Sequence, residues 1–183
     1  MKIITGSPGT GKHTIARIIA EKNCLDLVDI NRIAIVEEIV EKGSDALDVD
    51  VKKLGKILDR KISKNTLFVG HLAPYVVSRN KVECAVVLRR SPYNLEKVYA
   101  KRGYSKKKSV ENLGSEILGV TYYDTIKNIG PKKTFQFDTT SESIKETVKR
   151  IERLFVKGRA REDSVDWLKT VSKKGDLKRF FPY

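Results

Sequence analysis

Near the start of the chain, Gly6-Ser7-Pro8-Gly9-Thr10-Gly11-Lys12 combines the two things that a bound phosphate requires. Glycines let the backbone adopt turns closed to other residues, so that several N–H groups converge on one anion. Lys12 adds a full positive charge, and a helix starting beside it adds the partial positive charge of its first turn. A Ser or Thr directly after the lysine ordinarily reaches Mg²⁺. His13 stands there, and the nearest hydroxyl is Thr14. Thr14 is therefore the candidate metal contact, directly or through water, since Mg²⁺ keeps several waters beside substrate phosphates. His13 reads as a helix-start residue next to the phosphates.

A second constellation lies further along. From Lys97 to Lys108 the chain carries Lys97, Lys101, Arg102, Lys106, Lys107 and Lys108 with no acid among them, and Gly103 interrupts the run. Phosphoryl transfer needs cations around developing charge and a site closed to water. A basic, glycine-hinged cover over the phosphate loop supplies both; a solvated lysine face is the plainer alternative. His71 follows an apolar run and is a candidate base or water-positioning group near neutral pH, or else a histidine satisfied by loop carbonyls.

These residues have to be positioned by a regular framework. Residues 2–5 read as an apolar strand, and Ile15, Ile18 and Ile19 set a helical stripe after the loop. Residues 24–30, 66–71, 82–90 and 133–140 read as further strands; the continuous apolar run of 82–90 suits a strand covered on both faces. Helices are expected over 31–41, over 51–62 behind Asp50 as cap, from Ser91-Pro92 onward, over 109–127 and over 141–156. Residues 43–50 read as a polar linker. Strands alternating with helices predict an α/β fold, a parallel five-stranded sheet with helices on both faces. From Lys157 the character becomes basic, with the single Trp and an aromatic end. Asp163 or Ser164 is expected to cap a short helix there, docked through Trp167, Phe180 and Phe181.

The bounds are consistent with one domain of 183 residues. No apolar run approaches bilayer length, and the first residues do not form a leader, so a soluble, cytoplasmic monomer without membrane partners is expected. Cys24 and Cys84 lack metal-type spacing and read as buried free thiols. Thirty-seven Lys and Arg against 23 Asp and Glu give a net charge of +14. That balance favours anionic partners, nucleotides at least and RNA at most, against the alternative of a generally lysine-rich surface.

"GSPGTGKHT" taken with "RGYSKKKSVEN" resembles the atypical adenylate kinases of archaea and their nuclear relatives in eukaryotes, which are linked to small-ribosomal-subunit maturation. The resemblance covers about residues 1–156. It implies a P-loop kinase fold, ATP and Mg²⁺, AMP as acceptor, a nucleoside-monophosphate segment over about 29–51 and a lid over about 101–112, with 157–183 as a basic extension. It carries ATP-phosphate roles to Gly9, Gly11, Lys12, His13 and Thr14, makes Arg102 the lid arginine, and places His71 in the catalytic group with Lys12 and Arg102. A small-subunit ribosomal protein or ribosomal RNA is the further partner that it implies. The family's acidic residue two positions before the histidine is replaced by Val69; Asp29, on the neighbouring strand, is the candidate substitute. Arg32, Arg89 and Arg90 are candidates for the acceptor phosphate. Three activities fit these residues: a kinase acting on AMP, an ATPase that times ribosome assembly, and a nucleotide-binding module without turnover.

Overall fold

A computed structural model of the chain describes residues 1–42, 47–158 and 160–182. Five strands form one parallel sheet: β1 (Lys2–Gly6), β2 (Asp26–Asp29), β5 (Thr66–Val69), β6 (Cys84–Arg89) and β7 (Thr134–Asp138), in the order β2-β5-β1-β6-β7. Strand β1 is central, with Ile3 opposite Phe68 and Ala85, and Ile4 opposite Val69 and Val86. The period of two in a strand sends these neighbours to opposite faces. Ile3 joins Ile30, Leu54, Phe68 and Ala85 in one core. Ile4 joins Ile15, Ile19, Leu67, Val86, Phe137 and Ile151 in the other.

Helices cover both faces. On the Ile4 side lie α1 (Lys12–Asn23) and α8 (Ile144–Lys157). Helix α8 opens on a capping box, in which Ser143 accepts from the Glu146 N–H and Glu146 reaches back to Ser143. On the Ile3 side lie α2 (Ile30–Val36), α3 (Val51–Asp59), α4 (Ala73–Val76) and α7 (Val120–Ile129). Asp50 caps α3 by accepting from the Lys53 N–H at 2.9 Å, as the sequence predicts. The expected α/β parallel sheet is the observed fold.

Several expectations are corrected. The helix over 31–41 ends at Val36, because Glu38 takes a left-handed φ of 51° and turns the chain into β3 (Val40–Lys42), which pairs antiparallel with β4 (Leu47–Val49). The linker expected over 43–50 therefore contains a strand, and its residues 43–46 lie outside the described residues. The long helix over 109–127 is two helices, α6 (Lys106–Ile117) and α7, separated at Gly119 with φ 69°. Cys24 is exposed at the left-handed end of α1, whereas Cys84 is buried.

A third apolar cluster stands beside the sheet. Leu95 and Tyr99 of α5 (Pro92–Lys101), and Leu113 and Ile117 of α6, pack with Val171 of α9 (Trp167–Lys173) and Phe180 of α10 (Leu177–Phe180). Trp167 and Phe181 border it. The cap of α9 is Asp166, not Asp163 or Ser164.

Gly119 is the joint that lets α6 and α7 diverge, and a β-carbon there meets only ordinary contacts with Arg89. The substitution Gly119→Ala is therefore expected to act through backbone strain alone, costing about 1–2 kcal/mol. Thermal unfolding should show it as a fall of about 2–4 °C per kcal/mol.

Candidate active site

Strand β1 delivers the chain to the phosphate loop, and α1 carries it away. At Gly6, with φ 141°, a β-carbon would lie 2.4 Å from the Leu88 carbonyl oxygen, so the loop is tied closely to β6. At Gly9, with φ 86°, it would meet Leu95, Val98 and Tyr99 of α5. Helix α5 also donates from the Tyr99 hydroxyl to the Pro8 carbonyl at 2.8 Å. The loop is thus held from β6 on one side and α5 on another.

Lys12 is buried, and its ammonium donates to the Ser7 carbonyl oxygen at 3.3 Å. Burial, then the nearby Arg102 cation, lower its pKa to about 8, while Asp29 and Glu116 act in the opposite sense. His13 Nε2 lies 3.3 Å from Asp29 Oδ2. Burial would raise the Asp29 pKa, but hydrogen bonds from His13 and from the backbone of Arg32, with the His13 charge, hold it below its ordinary value. The His71 imidazole is exposed on the cleft, with Asn31 Nδ2 3.2 Å from its Nδ1. Partial desolvation by the neighbouring protein, then the Lys12 and His13 charges, push its pKa down.

A cavity of about 930 Å³ opens from the loop. Gly9, Gly11, Lys12, His13, Thr14, His71 and Arg102 all line it, so the candidate residues converge on one space. Its far wall carries Ala34, Ile35, Leu72, Tyr75 and Val120, and Asn31, Asn112, Ser115 and Thr121 supply polar groups. A second cavity of about 230 Å³ shares Gly11 and Thr14 with the first and is lined by Thr139, Thr140 and Ser141 after β7.

The three acceptor-arginine candidates fare differently. Arg89 is buried and committed to Glu116, with Nε 2.8 Å from Oε1, and to Gln136 at 3.0 Å. Arg90 donates to the Gly9 carbonyl at 3.0 Å and borders the smaller cavity. Arg32 is exposed on α2 and lines neither cavity. Val69 is buried in the Ile4 core, but its register partner across the sheet is Asp29. Among the described residues no group of three or more His, Cys, Asp or Glu is arranged to hold a metal unaided. The oxygen donors near the loop, the Thr14 hydroxyl and the Asp29 carboxylate, fit a hard cation that is held mainly by phosphate oxygens and water.

Glu116 is the residue that sequence reasoning misses. It accepts from Ser7 Oγ at 2.5 Å, inside the phosphate loop. Its signal in the sequence is an acid on the same helical stripe as Leu113 and Ile117, both buried.

Comparison with known proteins follows the same direction. The family model described as AAA domain matches residues 3–119. Two relatives, from Thermococcus gammatolerans and Pyrococcus furiosus, are each called "Putative adenylate kinase". Each is 32% identical, over 90% and 91% of this chain respectively and over 90% of its own length. A relative of the same description from Methanosarcina barkeri is 28% identical over 92% of this chain and 97% of its own. Among solved structures, the YorR protein of Bacillus subtilis in complex with phosphorylated GDP matches with TM-score 0.60 and 17% identity, over 85% of this chain and 95% of its own. Shikimate kinase from Bacteroides thetaiotaomicron matches with TM-score 0.54 and 15% identity, over 85% and 97%. These structures share the fold.

An anion bound in the loop will favour the charged form of Lys12, raising its pKa from about 8. Binding of pyrophosphate is therefore expected to take up protons above pH 8 and to take up none well below it, with affinity falling as pH rises through that upper window. Titration calorimetry in buffers of different ionisation enthalpy measures the uptake, and Lys12→Ala should abolish it.

Proposed function

The chain belongs to the AAA domain family and to the family of the archaeal proteins called "Putative adenylate kinase", and from that premise we propose that this kinase transfers the γ-phosphoryl group of ATP to AMP, giving two ADP. The observation that carries the reading is the meeting of two cavities at Gly11 and Thr14. Donor nucleoside in the smaller cavity and acceptor in the larger would bring donor and acceptor phosphates together beside Lys12. The apolar wall of Ile35, Leu72, Tyr75 and Val120 suits a flat base, and the polar groups of Asn31, Asn112 and Thr121 suit its edges.

Positioning and charge neutralisation account for most of such a transfer. Loop N–H groups and Lys12 hold the donor phosphates, and Arg102 neutralises charge on the transferring group. We assign the nucleoside-monophosphate cover to residues 29–51 and the lid to residues 101–112, with Gly103, at φ 64° and with no neighbour within 4 Å of an added β-carbon, as its hinge. A phosphate acceptor is already ionised and requires no base, so for AMP His71 orients the acceptor. For water as acceptor the same imidazole, kept neutral by its lowered pKa, is a general base. Mg²⁺, when bound, screens the phosphate charges; Thr14 and Asp29 are the residues of this chain that would hold it.

The net charge of +14 supports a second reading, in which the same nucleotide site serves a protein that binds ribosomal RNA or a small-subunit ribosomal protein. The exposed Lys169, Lys173, Lys174, Lys178 and Arg179 of α9, α10 and their junction supply a basic surface for it.

Chromatography of ATP with Mg²⁺, with and without AMP, separates these outcomes. AMP-dependent ADP formation is expected, with a loss of about 10²- to 10³-fold in Lys12→Ala. ATP binding without ADP in either case would overturn the kinase reading. In a second assay, Asp29→Asn is expected to raise the Mg²⁺ concentration for half-maximal rate several-fold while leaving the fold intact by circular dichroism. An unchanged Mg²⁺ profile would remove Asp29 from the metal site.

A further inference from the structure

The C-terminal segment after α8 touches the phosphate loop through one buried carboxylate. Glu116, 1% exposed, sits in the last turn of α6. A negative charge at the C-terminal end of a helix is disfavoured by the helix dipole, and a buried one is costly unless each oxygen is satisfied. Here four donors supply that satisfaction. Oε2 accepts from the Ser7 hydroxyl at 2.5 Å. Oε1 accepts from Arg89 Nε at 2.8 Å, from the Arg90 N–H at 3.1 Å and from the Trp167 indole N–H at 3.1 Å. Arg89 closes the arrangement by donating to the Glu116 carbonyl at 2.8 Å.

The donors belong to different parts of the chain: the phosphate loop, the end of β6 and α9 of the extension. The acceptor belongs to α6, whose first turns carry Lys108, Glu111 and Asn112 to the larger cavity. Ser7 reaches on to Lys12, because the Ser7 carbonyl accepts from the Lys12 ammonium at 3.3 Å and from the Thr10 hydroxyl at 2.9 Å. From Trp167 to Lys12 the path is three hydrogen bonds long. Each link is polar and buried or half-buried, so loss of any one leaves its partner unsatisfied.

We propose that Trp167, acting through Glu116, is a positioning residue for the phosphate loop, so that the C-terminal extension is a working part of the nucleotide site. This deepens the phosphate-binding reading above and rests on it. When phosphates draw the Lys12 ammonium away from the Ser7 carbonyl, the Ser7 backbone loses a donor and its hydroxyl shifts on Glu116. The change is felt at the indole N–H. Coupling of this kind is reciprocal: what the nucleotide does to the Trp167 contact, the Trp167 contact does to the nucleotide.

The chain has one tryptophan, so emission excited beyond the tyrosine band comes from Trp167 alone. Wild-type protein is titrated with ADP, and calorimetry records occupancy independently. The expected result is a saturable change in Trp167 emission that follows occupancy. In Ser7→Ala at saturating ADP, the bond to Glu116 is missing and the emission should no longer respond. Trp167→Phe keeps an aromatic ring at the border of the apolar cluster and removes the N–H donor together with part of the indole's volume. It is expected to unfold close to the wild-type temperature and to weaken ADP binding by about 2- to 10-fold, the range of one hydrogen bond. Combined with Ser7→Ala, its effect on binding should fall short of the product of the two single effects, because both act on the same carboxylate.

Occupancy by calorimetry without a change in emission, together with unaltered ADP affinity in Trp167→Phe, overturns the inference and leaves the phosphate loop standing. An emission change that persists in Ser7→Ala overturns it as well, since the signal then travels by another route. Failure of the wild type to bind ADP overturns the phosphate-binding reading, and this inference with it.

Discussion

An ammonium group enclosed in protein is the constraint on which this molecule is built. Lys12 is pressed into its own loop with a second cation, Arg102, close enough to lower its pKa. Its direct partner is a carbonyl oxygen, not a carboxylate. Such a group is stabilised fully only by an anion, so the loop holds its charge in reserve for one. Everything that closes the loop serves this. Gly6 lets it lie against β6, Gly9 lets it lie against α5, and Tyr99 pins Pro8.

Two carboxylates keep that reserve from becoming unaffordable, and each is committed elsewhere. Asp29 faces His13 and caps α2 through the Arg32 N–H. Glu116 is surrounded by donors from Arg89, Arg90, Trp167 and Ser7. Both raise the Lys12 pKa through space, yet neither is its hydrogen-bond partner. An acid in direct contact would occupy the position a phosphate has to take. Removing both would leave Lys12 and Arg102 in unrelieved repulsion. The arrangement lies between these two failures, with both acids acting on Lys12 through space from the ends of β2 and α6.

The parts of this arrangement that are local in sequence were legible there. The glycine spacing, the apolar stripe of α1 and the cap at Asp50 depend on neighbours a few residues away, and the parallel sheet follows from the alternation of strands and helices. The breaks were harder. Residues 31–41 keep a helical apolar pattern through Ile33, Val36 and Val40, and only the left-handed turn at Glu38, a residue type that seldom adopts it, ends α2 early. Gly119 interrupts 109–127 in the same way, and a lone glycine in a helical pattern is compatible with either outcome. Glu116 was illegible as a site residue because its meaning lies in Ser7, Arg89 and Trp167, as much as 109 residues away. Arg89 was misplaced for the same reason, its buried partner being invisible along the chain.

Val69 shows how a position along the chain and a position in the fold can part company. Read along the chain, the apolar residue two places before His71 removes the carboxylate from the end of its strand. Across the sheet, Asp29 is the register partner of Val69, so a carboxylate stands at the same height one strand away. The geometry is self-consistent: with Val69 buried against α1, its side chain belongs to the Ile4 core, and the acid on β2 reaches His13 at the start of that same helix. His13, in the first turn of α1, reaches across to β2 with its imidazole and meets the Asp29 carboxylate beside the loop. The two departures from the usual pattern, at His13 and at Val69, therefore meet at one residue: Asp29 is the register partner of Val69 and lies 3.3 Å from His13 Nε2.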